Sequence, residues 1–104
     1  MDDRRYAIRY AERLAEKNVS KRESYAKMMA KGTSRDIITE TLHSVEADEG
    51  EQIAALISKK YASRLQSEDG VRKVYAALLR KGFSYSAVRD ALKKYSEELE
   101  YMGE

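Results

Sequence analysis

Tyr75-Ala76-Ala77-Leu78-Leu79-Arg80-Lys81-Gly82-Phe83-Ser84 is the stretch that decides the fold, because the chain contains it twice. Fifty residues earlier stands Tyr25-Ala26-Lys27-Met28-Met29-Ala30-Lys31-Gly32-Thr33-Ser34, with the same aromatic start, apolar pair, basic end and closing glycine. Self-similarity over such a span is the mark of one supersecondary unit built twice. In both copies a helical stripe runs into a glycine and then a serine, which reads as helix, turn and the N-cap of the next helix.

Working outward, Tyr61-Ala62-Ser63-Arg64-Leu65 echoes Tyr10-Ala11-Glu12-Arg13-Leu14 at an offset of fifty-one, so a one-residue difference falls in the connection that follows each. Ala7, Tyr10, Ala11 and Leu14 recur at three-and-four spacing and predict a first helix to about Asn18, with Asp2 or Asp3 placed to cap it. Ser20 with Glu23 is a capping-box pattern opening a second helix, whose inward stripe is Tyr25, Met28 and Met29. Ser34 caps a third, carrying Ile37, Ile38 and Leu42. The acidic run Glu46-Ala47-Asp48-Glu49-Gly50-Glu51 then breaks the chain near its middle.

The second unit predicts a helix with Ile53, Ile57, Tyr61 and Leu65, another with Val71, Tyr75, Leu78 and Leu79, and a last one from Ser84 or Ser86 with Val88, Leu92, Tyr95 and Leu99 inward. The expected fold is all-α: two tandem three-helix repeats, residues 1–47 and 48–104, in an elongated or curved right-angled helical array. No helix of this length is stable alone in water, so each unit must bury its stripes against the others.

Composition agrees with a helical protein. Charged residues are 37% and hydrophobic ones 42%, with no proline, no tryptophan and five glycines among 104 residues. There is no cysteine, hence no disulfide framework and no thiolate chemistry. No apolar run approaches the roughly 20 residues that span a bilayer, so a cytoplasmic protein without a membrane partner is expected. His43 is the sole histidine and has no second donor of its kind; a metal site needs three or four. The carboxylate runs Glu46–Glu51 and Glu97–Glu104 sit at helix ends and read as solvated charge. No catalytic residue, no metal ligand set and no cofactor is expected.

Charge segregation is the stronger signal. Net charge is only +2, yet the 20 Lys and Arg and the 18 Asp and Glu occupy different places. Arg5, Arg9 and Arg13 recur by four on the first helix, and Arg72, Lys73, Arg80 and Lys81 stand on the fifth with no acid between Asp69 and Asp90. These seven are the candidate partner-binding residues, as charge contacts to acidic protein surface or to DNA phosphate. A sequence-reading helix-turn-helix is disfavoured, because residues 85–95 open on Ser, Ala and Tyr and carry no base-reading side chain at their start.

Together these motifs resemble the RecX family, bacterial regulators of the RecA recombinase. Asp2-Asp3-Arg4-Arg5-Tyr6-Ala7 looks like the start of that family's middle repeat, Lys31-Gly32 and Arg80-Lys81-Gly82-Phe83-Ser84-Tyr85 like its second-helix ends, and Val88-Arg89-Asp90-Ala91-Leu92 like its last helix. The resemblance implies a non-enzymatic, monomeric regulator that binds the RecA nucleoprotein filament and inhibits recombinase and coprotease activity. It also implies a first repeat that this chain lacks. The alternative is a helical module that binds the backbone of single- or double-stranded DNA without RecA.

Overall fold

The structure is a computed structural model that describes residues 3–102, with side chains described through residue 97. Among these residues every regular element is helical. Six α-helices follow in order: α1 Asp3–Glu16, α2 Lys21–Ala30, α3 Arg35–Ser44, α4 Glu49–Leu56, α5 Glu68–Arg80 and α6 Tyr85–Met102. Between α4 and α5 the chain stays helical but changes pitch, through a π-helical turn at Ile57–Tyr61 and a 3-10 turn at Ala62–Gln66. The fold is thus all-α, a tandem pair of three-helix repeats.

The start signals act as read. The hydroxyl of Ser20 accepts the Glu23 N–H at 3.1 Å, that of Ser34 the Ile37 N–H at 3.4 Å and that of Ser84 the Ala87 N–H at 3.3 Å. Asp48 and Ser67 do the same for α4 and α5. Of the two residues offered as the cap of α1, Asp3 is already helical and Asp2 lies outside the described residues. The stop signals repeat with the sequence. Gly32 at φ +88° and Gly82 at φ +95° take left-handed backbone, where a side chain would be strained. After each, the next N–H reaches back five residues, Thr33 to Met28 and Phe83 to Leu78.

Two hydrophobic clusters form. The first joins Ala7, Ala11, Met28, Ile38 and Val45; the second joins Ile53, Ile57, Tyr61, Leu65, Val74, Leu78, Phe83 and Val88. Two stripes differ from the sequence reading. On α2 Met29 is 44% exposed and Ser24 takes the inward place beside Met28, because the buried arc there is too narrow for both methionines. On α5 Val74 and Leu78 form the centre, while Val71, Tyr75 and Leu79 flank it half-buried. Leu92 and Tyr95 likewise only border the core, and the side chain of Leu99 lies outside the description. Tyr6, next to the buried Ala7, is 50% exposed.

The repeats are stacked into a rod of 57 × 21 × 20 Å with a radius of gyration of 15.9 Å, against about 13 Å for a compact chain of this size. The joint between them is polar. Gln52 of α4 donates its side-chain amide to the carbonyls of Ala15 and Val19, 3.3 and 3.1 Å away, satisfying the C-terminal end of α1. Ser20, fully buried, donates its hydroxyl to the Lys81 carbonyl while it caps α2. One side chain therefore serves the C-terminus of α5 and the N-terminus of α2, two ends of opposite partial charge.

Candidate partner-binding surface

The joint decides which cations meet. Because the last turn of α5 abuts the first turn of α2, a Cβ built on Gly82 would lie 2.7 Å from the Ser20 hydroxyl and 3.1 Å from the Arg22 Cβ. Arg80 and Lys81 are thereby set beside Arg22, with Lys21 next to it in the chain. Arg22, Lys21 and Arg80 are exposed. Among the described residues Arg22, Arg72, Arg80 and Lys81 enter no salt bridge. Arg22 of the first repeat with Arg80 and Lys81 of the second make a basic ridge at the joint, and Arg72, eight positions before Arg80, continues it back along α5.

Other predicted site residues fare differently. Lys73 shares the outward face of α5 with Arg80, seven positions on, but is paired with Asp69 at 3.2 Å, both carboxylate and ammonium well exposed. Such a pair contributes about 0–1 kcal/mol and yields readily to a partner. Arg5, Arg9 and Arg13 do occupy one outward side of α1, with Glu12 and Glu16 interleaved there, and Arg13 lies 5.9 Å from the Tyr10 ring centre. α1 packs on α2 and α3, so its row is a feature of the first repeat, whereas the ridge belongs to the joint. Sequence reasoning missed Lys21 and Arg22. Equating α2 with α5 through the repeat sets Arg22 against Arg72 and would have flagged it, but its meeting with Arg80 depends on the stacking.

An aromatic pair, Tyr75 half-buried and Tyr85 exposed, lies on α5 and α6. Tyr85 is 60% exposed, its ring 5.4 Å from that of Tyr75 in an edge-on arrangement, and the Arg89 guanidinium sits 5.9 Å from the Tyr85 ring centre. The Tyr75 hydroxyl is enclosed and has no hydrogen-bond partner among the described residues. Burial, with a smaller contribution from the Tyr85 phenol and opposition from Arg89, pushes its phenol up to about 12. Among the described residues no group of three or more His, Cys, Asp or Glu is placed to hold a metal ion, and no helix is long and apolar enough to cross a membrane.

Fold and surface define a class: a tandem three-helix repeat protein whose exposed chemistry is segregated charge. A model of the third three-helix domain of RecX matches residues 47–92. Regulatory protein RecX of Clostridium botulinum (strain Eklund 17B / Type B) is 32% identical over 99 residues, which is 90% of this chain and 46% of that protein. Regulatory protein RecX of Lactococcus lactis subsp. cremoris (strain MG1363) is 34% identical over 71 residues, 64% of this chain and 26% of that protein. The chain belongs to the RecX family. It spans about half the length of the Clostridium relatives. No solved structure matches it significantly.

Proposed function

We propose that this chain is a non-enzymatic cytoplasmic regulator that docks on the RecA nucleoprotein filament, with repeats 1–47 and 48–104 as its two binding units and the ridge of Arg22, Arg72, Arg80 and Lys81 as the principal contact. Arg5, Arg9, Arg13 and Lys73 extend that contact along the rod. Family membership supports the partner. The observation that carries the surface is the unpaired cation cluster across a joint fixed by Ser20 and Gln52. A rod 57 Å long lying along a filament groove would inhibit by occupation, since linked contacts gain affinity through effective concentration and need no reaction. Division into two units is supported by the two separate hydrophobic clusters.

The test is RecA assembled on single-stranded DNA. Adding the chain is expected to lower ATP hydrolysis, and Arg80→Glu with Lys81→Glu to weaken that effect at least tenfold while the thermal midpoint stays put. Unchanged hydrolysis and filament length at saturating chain would overturn the proposal. The second reading, a nucleic-acid module acting without RecA, is favoured by the same ridge, whose cations suit phosphate as well as carboxylate.

A further inference from the structure

The grooves bordered by α1, α4 and α6 have the opposite charge character from the ridge. A groove of about 860 Å³ lies between α4 and α6, and one of about 570 Å³ lies between α1 and the connection from α3 to α4. Asp48 and Glu51 line both, so the two adjoin as a trough with these carboxylates at their boundary. The apolar part of the larger lining is Ala54, Ile57, Ala62, Ala87, Ala91 and Tyr95, mostly small side chains. Alanines at these positions leave room for another backbone to come close.

The rim is acidic. Asp48, Glu49, Glu51 and Asp90 face a single cation, Lys94, in the larger groove. In the smaller groove Glu12, Glu16 and Glu46 continue the same sign, with no Lys or Arg in its lining. Two of these carboxylates are bound only to neutral donors: Asp48 accepts the Glu51 N–H, and Glu49 accepts the N–H and hydroxyl of Ser84. Their charge is held in place and not cancelled. Asp90 has Arg89 3.7 Å away, both exposed.

We propose that this trough is a docking site for an amphipathic helix of a partner protein, one with a stripe of small or aliphatic residues flanked by Lys and Arg. The apolar floor receives the stripe, as in other helix-in-groove complexes, and the carboxylates on both sides meet the cations. Charge complementarity selects this occupant, because an acidic helix or a nucleic acid would bring like charge to the rim. The trough shares no residue with the α2 and α5 ridge, and its larger groove, between α4 and α6, holds none of the cations assigned to the filament contact, so reversing charge at Glu51 and Asp90 tests it separately.

The experiment titrates the full chain against a fluorescein-labelled designed helix carrying Leu and Ala at i, i+3, i+4 and i+7 with Lys and Arg on both flanks. A second helix has Glu at every Lys and Arg position. Fluorescence anisotropy is expected to show micromolar binding of the basic helix and at least tenfold weaker binding of the acidic one. Glu51→Lys with Asp90→Lys, both exposed side chains, should weaken the basic helix at least tenfold at an unchanged thermal midpoint, whereas Arg80→Glu should not. Amide shifts on adding the basic helix should centre on Ala54, Ala87 and Ala91. Equal binding of the two helices, indifference to the charge reversal, or shifts lying outside α1, α4, α6 and the connection from α3 to α4 would each overturn the proposal. So would self-association through Glu51 and Asp90 with no binding of either helix, which would make a second copy the occupant.

Discussion

A methyl group at Gly70 would have to occupy space already held by backbone. An ideal Cβ there lies 1.6 Å from the Arg64 carbonyl oxygen and 2.8 Å from its carbon, because the 3-10 turn folds tightly over the first turn of α5. Gly within a helix ordinarily costs about 1 kcal/mol relative to Ala, so the exchange would usually stabilise. Here the sign reverses. Gly70→Ala is expected to destabilise by at least the ~1–3 kcal/mol of an overpacked core, read from chemical unfolding, and a midpoint equal to or above that of the parent would show that the turn can yield. At Tyr75 the chemistry is titration. Its phenol is pushed up from the usual 10.0 to about 12 by burial first and Tyr85 second, so the folded chain holds a proton there that the unfolded chain has released. Stability from this group is present below pH 10 and is lost as pH rises from about 10 to 12. Absorbance at 295 nm should show one tyrosine ionising last, in that window, and Tyr75→Phe should remove that step; an unaltered curve would refute the enclosure of its hydroxyl.

At the scale of the helix, Gly32 and Gly82 make a controlled comparison. Both end a helix with positive φ, and an alanine in that conformation costs about 1–2 kcal/mol. Around Gly32 a Cβ would meet nothing within 4 Å, but at Gly82 it would press on the Ser20 hydroxyl. That hydroxyl cannot swing away freely, since it holds the Glu23 N–H and the Lys81 carbonyl at once. Gly82→Ala should therefore cost more than Gly32→Ala by roughly the worth of a helix cap, about 1 kcal/mol. Equal losses would mean that the joint between repeats contributes nothing at this point. The two glycines, and the caps Ser20, Ser34 and Ser84, were legible in the sequence because helix ends are decided by neighbouring residues. So was most of the buried stripe, from Ile38 to Val88. Met29 was placed inward and is exposed, and Val74, left out of the stripe, is at its centre, as three-and-four spacing fixes an arc to within a residue and no better. The joint was not legible: nothing local to Ser20, Gln52 or Arg22 announces a partner thirty to sixty residues away. Arg80 and Lys81 were found as charges, and the ridge they complete only appears once α5 meets α2.

Over the whole molecule a small net charge conceals two opposed faces, and that arrangement yields a measurement separating the two readings of the ridge. If cations contact phosphate, each releases a counterion, and the logarithm of affinity falls linearly with the logarithm of salt at about 0.7 per neutralised phosphate on single strands. Arg80→Gln with Lys81→Gln, lying together at the joint, should then flatten that slope by about 1.4 for the isolated chain on single-stranded DNA, two contacts at about 0.7 each. The same substitutions on α1, Arg9→Gln with Arg13→Gln, should flatten it less, because Glu12 and Glu16 stand among those arginines and hold anions away. If the ridge instead meets acidic protein surface, binding to DNA alone is weak and its slope is the same for all three proteins, while the loss appears only with the RecA filament. A slope changed equally by both pairs would contradict the ridge itself, since it would make the cations of α1 and α5 interchangeable and the joint irrelevant to binding.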